Sequence, residues 1–217
     1  MRETTKGSGR PTVDAQMERS KGETVSTKAN VCIVESLGFL EETIHKEGEI
    51  IFRTLQLSGK RPSYTYVRSR EDFEAFVKEF GKSSYRYLHV SCHGHKSAFW
   101  TTLEMIAGPE MVNILAPHLK NRRLFVSACL ATDSKFAKEL MEKSQCHSVL
   151  GPAGSPYFDD AAIFWTSFYH LMFKENPASM SSADIARNVE KCARLVNENF
   201  RFFYWKGGRI IEQTIPE

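Results

Sequence analysis

The sequence predicts an α/β fold, a three-layer α/β/α sandwich built on a mostly parallel central sheet. Short apolar runs rich in β-branched residues, such as Val31 to Val34 and Leu124 to Val126, alternate with stretches of helical period. That alternation yields parallel strands covered by helices on both faces. Polar residues capable of chemistry stand at the ends of two of these runs, where open α/β sheets bind their ligands.

The elements follow in order. Val31 to Val34 reads as a first, buried strand. Leu40, Ile44, Ile51 and Leu55 recur on one helical face, with Gly59 where a C-terminal cap would stand. Tyr64 to Val67 alternates as a second strand, and a helix carrying Phe73, Phe76, Val77 and Phe80 closes at Gly81. Tyr87 to Ser91 is the third strand and runs into Cys92, His93, Gly94 and His95. A small β-hairpin outside the main sheet is expected from Trp100 to Ile106, turning through Gly108 and Pro109 toward Met111 and Val112, before a short helix near Leu115 to Leu119.

Leu124 to Val126 is the fourth strand and leads to Ser127, Ala128 and Cys129; Asp133 or Ser134 then caps a helix bearing Phe136, Leu140 and Met141. Ser148 to Gly151 forms a fifth strand. The aromatic residues from Phe164 to Tyr169 belong to a broadly buried helix, and Ile185, Val189, Cys192 and Val196 mark a last one. Phe202 to Trp205, before Gly207 and Gly208, reads as a closing edge strand.

With 217 residues, 41% of them hydrophobic, the chain can bury one sizeable core. Residues 1–29 are rich in Lys, Glu, Thr, Ser and Gly and read as a flexible tail, a removable pro-segment or tether at most; residues 30–217 form the folded domain. The net charge of +3 supplies no field for holding phosphates, so nucleic acid is not an expected partner. Without an apolar run of about 20 residues or the apolar core of a secretory signal, the expectation is a cytoplasmic protein with no membrane partner. The five cysteines are odd in number and lack close pairs, which favours reduced thiols. No phosphate-cradling loop, metal cluster or cofactor motif is visible, and a mechanism without metal or cofactor is expected.

His93 and Cys129 are the candidate catalytic pair. A thiol near its ordinary pKa is only a few per cent thiolate at neutral pH, and an imidazole that accepts its proton activates it. If the two strands lie side by side, their ends meet. Gly94, without a Cβ, lets its N–H approach a substrate carbonyl, and the Cys129 N–H can point to the same place, so the two could form an oxyanion hole. Cys92 should point to the opposite face as a small hydrophobe. His95 is a second proton carrier, or a histidine that is simply solvent-exposed or satisfied in the core. Cys32, Cys146 and Cys192 sit in apolar patterns and read as structural.

Leu88 to Gly94 (LHVSCHG) and Leu124 to Cys129 (LFVSAC) resemble the His and Cys motifs of CHAT domains, which belong with the caspases and separases. The likeness continues through SVLGPAG and FWTSFY between Ser148 and Tyr169, and spans residues 31–206. It implies a caspase-like cysteine endopeptidase with His93 as base and Cys129 as nucleophile. Protein or peptide substrates follow from it, and control is expected from the tail, from self-cleavage or from a separate regulatory partner protein. Asp159 and Asp160, at the start of the aromatic helix, match acidic residues that receive a basic substrate side chain in separase-like relatives; helix capping is the other reading. The chain departs from the family where Leu130 and Ala131 follow the cysteine in place of Glu-Thr, and where Ser127 stands two before it in place of the metacaspase acid.

Two other readings stay open. One is a catalytically silent or latent caspase-like module acting in protein–protein interaction. The other is a small-molecule hydrolase, against which Ser127 and Ala131 count, because they occupy the glycine places of a nucleophile elbow.

Overall fold

The structure is a computed structural model that describes residues 27–96 and 98–216. Five parallel strands form most of the sheet: β1 (Lys28–Ser36), β2 (Ser63–Tyr66), β3 (Tyr85–His95), β6 (Arg123–Ser127) and β7 (Ser148–Pro152). Two antiparallel strands, β8 (Phe200–Lys206) and β9 (Arg209–Ile215), complete the order β2-β1-β3-β6-β7-β8-β9. Helices α1 (Glu47–Leu57), α5 (Phe158–Glu175) and α6 (Ser182–Val196) cover one face; α2 (Arg70–Lys82), α3 (Gly108–Leu115) and α4 (Ser134–Ser144) cover the other. The predicted three-layer α/β/α sandwich with its mostly parallel sheet is therefore present.

Strand alternation divides the core in two. Cys32, Val34, Leu88, Val90, Leu124 and Val126 point toward α2, α3 and α4, and Val31, Ile33, Tyr87 and Phe125 point toward the aromatic side of α5. On that side Trp165, Phe168 and Tyr169 meet Phe125 with ring centroids 5.5 to 6.0 Å apart. Buried Arg122 clamps the end of α2 by donating to the carbonyls of Phe80 (2.6 Å), Gly81 (2.9 Å) and Ser83 (2.9 Å).

The central strand β3 runs past its neighbours. Its last residues leave the main sheet and pair with β4 (Ala98–Trp100), which pairs with β5 (Met105–Ala107), so the expected side hairpin exists. Its turn is Thr101 to Glu104, closed by Thr101 N–H to Glu104 O at 2.9 Å, and not Gly108–Pro109. Gly108 and Pro109 open α3 instead, because a proline in the first helical turn forfeits no intrahelical bond, and Met111, Val112 and Leu115 bury the helix against the core.

Three further expectations change. The helix predicted from Leu40 begins only at Glu47, and Leu40 (90% exposed) and Ile44 (71% exposed) lie in a turn-rich loop. The seven-residue step from Ile44 to Ile51 concealed that break, and polar anchors hold the loop at the end of the sheet. Phe202 to Trp205 lies in β8, one strand inside the edge; β9 closes the sheet after Gly207 (φ 56°) and Gly208 (φ 76°) make the tight turn. Residues 1–26 of the expected tail lie outside the described residues, while Lys28 and Ala29 already belong to β1. Among the described residues no helix is long and apolar enough to cross a membrane.

Candidate functional site

The register of β3 and β6 brings His93 and Cys129 to one place. Ser91 lies opposite Ser127 at the end of that register, and His93 and Cys129 each follow two residues further on, His93 where β3 turns to the side hairpin and Cys129 in the turn after β6. Both line a cleft of about 230 Å³ at the C-terminal edge of the strands. Tyr157, Phe158 and Pro156 form its apolar wall, and Glu47, Ser91 and Ser127 its polar floor. Cys92 also borders the cleft but packs against the core cluster of α2, α3 and α4, where burial pushes its thiol up to about 12, and His95 is exposed.

Cys129 sits in a tight turn. Leu130 adopts a left-handed backbone (φ 53°), strained for a residue with a side chain, and its N–H donates to Gly154 O at 3.0 Å. Gly94 packs against this turn so closely that a Cβ on it would come within 2.7 Å of the Cys129 carbonyl and 2.8 Å of Ala128 and Ala131. Burial raises the Cys129 thiol above the ordinary range; the Ser155 hydroxyl and the residue's own N–H oppose the rise, and the carboxyls of Glu198 and Glu47 add to it.

His93 is half-buried and reaches a carboxylate that sequence reasoning missed. Its Nε2 shares a 2.5 Å hydrogen bond with Glu41 Oε2, and its ring meets Phe158 edge-on with centroids 5.7 Å apart. Among the described residues no hydrogen bond joins His93 to Cys129. For Glu41, burial alone would raise the carboxyl. The hydrogen bond and charge of His93, the Gly38 N–H and His45 outweigh it and hold Glu41 below the usual carboxylate range.

A buried polar network lies under the cleft. Ser127 Oγ donates to Glu47 Oε2 at 2.9 Å, and Ser91 Oγ lies 3.4 Å from carboxyl oxygens of both Glu47 and Glu35. Glu47 is only 4% exposed, and its Oε1 has no hydrogen-bond partner among the described residues, with His89 Nε2 at 3.8 Å. His89 in turn shares a 3.0 Å hydrogen bond with Tyr169. Asp159 and Asp160 occupy the first turn of α5, adjoining the wall residue Phe158 but outside the cleft lining, so the acid that lines the cleft is Glu47. The signal for Glu47 and Glu35 was available in part: an acid at the end of an apolar strand and one opening an amphipathic helix. Their meeting was not.

No family model matches this chain, and neither does any curated protein. Solved structures give distant likenesses. The Saccharomyces cerevisiae separase–securin complex aligns with a TM-score of 0.48 and 13% identity over 84% of this chain, which spans 12% of that chain. A flavone reductase aligns at TM-score 0.42 and 8% identity, covering 85% of this chain and 81% of its own. A flavoprotein from Thermotoga maritima aligns at 0.36 and 12%, covering 79% of this chain and 36% of its own.

Proposed function

We propose that this protein is a caspase-like cysteine endopeptidase in which Cys129 attacks the peptide carbonyl and His93 takes the thiol proton. The observation that carries this reading is the convergence of His93 and Cys129, from the ends of neighbouring parallel strands, on one cleft. The motif resemblance to CHAT domains supports it. Gly94 and the Cys129 N–H are the oxyanion-hole donors in this reading; each such donor contributes about 3 kcal/mol to the transition state. A thiol raised by burial needs a base in the same cleft, which is the part His93 plays.

Cleavage after a basic residue fits the cleft's shape: apolar walls suit the methylene stem of Lys or Arg, and Glu47, hydrogen-bonded by Ser127, receives its head. Asp159 and Asp160 would then add to the field outside the lining. The test is turnover of fluorogenic peptides carrying basic, acidic or apolar residues before the scissile bond, beside Cys129→Ala and His93→Ala. Cleavage lost in both variants, with folding intact, is expected. Full activity in Cys129→Ala would refute the assignment.

A second reading has its own observation. His93 is engaged by Glu41 and the Cys129 thiol lies above the ordinary range, as a latent or silent module acting in protein–protein interaction would have them. Folded protein that cleaves no peptide in the library would favour it.

A further inference from the structure

The geometry points to Glu41 as a positioning residue that orients the His93 ring and sets its tautomer; the catalytic part of this inference rests on the peptidase reading above. Glu41 Oε2 lies 2.5 Å from Nε2, and because a carboxylate can only accept, the ring donates from Nε2, so a neutral imidazole keeps its lone pair on Nδ1. Nδ1 is then the nitrogen left to take the Cys129 proton. The carboxylate also faces the positive charge that the ring acquires on doing so, the part an orienting acid plays beside a catalytic histidine.

The loop from Gly38 to Lys46 is built around this contact. Gly38 N–H donates to the same Glu41 oxygen at 3.0 Å, and a Cβ on Gly38 would come within 2.9 Å of it, so glycine lets the carboxylate close on the backbone. Further turns tie the segment together: Glu41 N–H donates to Gly38 O at 2.9 Å and His45 N–H to Glu41 O at 2.9 Å. Glu42 fastens the loop to the sheet through a two-pronged pair with Arg68, at 2.7 and 2.6 Å, and a bond from Tyr66 at 3.1 Å. His45 stacks on Phe158 at 4.3 Å, and Phe158 meets His93 edge-on.

Hydrophobic burial does not explain why the loop sits there, because Phe39, Leu40 and Ile44 are all exposed. Apart from the His45 stacking its specific contacts are polar, and one of them ends on the candidate catalytic base. Sequence periodicity hid this by presenting Leu40 and Ile44 as one face of a helix.

The test is the ¹⁵N spectrum of His93 in the full chain at about pH 8.5, above the ordinary histidine range, for the natural protein, Glu41→Gln and Glu41→Ala. The natural protein is expected to show the Nε2–H tautomer and Glu41→Ala a mixture of both. Glu41→Gln keeps an acceptor and should keep the tautomer. On a cleaved peptide, kcat should fall about 100-fold in Glu41→Ala with KM unchanged. An Nδ1–H tautomer in the natural protein, an unchanged tautomer in Glu41→Ala, or faster turnover in that variant would overturn the proposal; the last would make Glu41 a latch. The tautomer is read without turnover, so a chain that shows the expected change yet cleaves nothing upholds the orienting contact while removing the peptidase reading.

Discussion

Glu35 offers the sharpest test of the buried network. It is fully buried at the end of β1, where its carboxyl accepts from Gly48 N–H and Tyr64 Oη, each at 2.7 Å. Burial is the main cause of its pKa rising from 4.5 to about 7; the neighbouring Glu47 adds to the rise, and the hydrogen bonds oppose it. A carboxyl with a folded pKa above its unfolded one takes up a proton on folding. Its stabilising contribution is complete below pH 4.5 and is lost as the pH climbs through about 7. At about 1.4 kcal/mol per pKa unit, ionised Glu35 costs the fold about 3 kcal/mol at pH 8.

Glu35→Gln removes that penalty and keeps the shape: the amide oxygen still accepts from Gly48, and the Tyr64 hydroxyl turns to accept from the amide. Urea unfolding of both proteins from about pH 4 to 8 is the assay. Their free energies should agree at the acid end and diverge to about 3 kcal/mol in favour of the variant at the alkaline end, a midpoint shift of about 1.5 M for a slope near 2 kcal/mol/M. Groups common to both proteins cancel in the difference. A difference that stays constant across the range would refute the reasoning.

Gly94→Ala should destabilise the protein by about 1 to 3 kcal/mol and displace the Cys129 turn, because the new methyl would overlap Ala128, Cys129 and Ala131; thermal unfolding checks the first effect and Cys129 alkylation kinetics the second. Arg122→Ala removes the guanidinium donor from the carbonyls of Gly81 and Ser83 and from that of Phe80, which keeps the Ser83 N–H and hydroxyl, and it removes a guanidinium stacked 4.3 Å from Phe80, so a loss of about 2 kcal/mol in chemical denaturation is expected. Because burial holds the Cys129 thiol above the ordinary range, iodoacetamide modification without substrate should be slow at neutral pH and still rising above about pH 9; a plateau near neutrality, measured by mass spectrometry, would contradict that environment.

Much of this molecule is written locally. The apolar runs at Val31 to Val34, Tyr87 to Val90 and Leu124 to Val126 became strands because β-branched and aromatic residues buried on both faces suit a parallel sheet. Asp133 caps α4 by accepting from Phe136 N–H at 2.8 Å, as its side-chain type predicts. That His93 and Cys129 line one cleft was legible because each follows such a run, and strand ends are where an α/β sheet opens to ligands.

The tertiary structure decided what depends on partners distant in the chain. The apolar period from Leu40 to Leu55 suggested one helix, yet the bonds of Glu41 to His93 and Glu42 to Arg68 outweigh that pattern and keep its first half as a loop. Proline and glycine signals at Gly108 and Pro109 fit a turn or a helix start equally well, and the burial of Met111 and Leu115 chose the helix. The acids beside and beneath the cleft, Glu41, Glu47 and Glu35, come from segments that approach β3 and β6 only after the sheet assembles. Composition and period fixed the layers, since those follow from each segment's own surface. Which charges meet at the cleft follows from register and loop anchoring, which no single segment encodes.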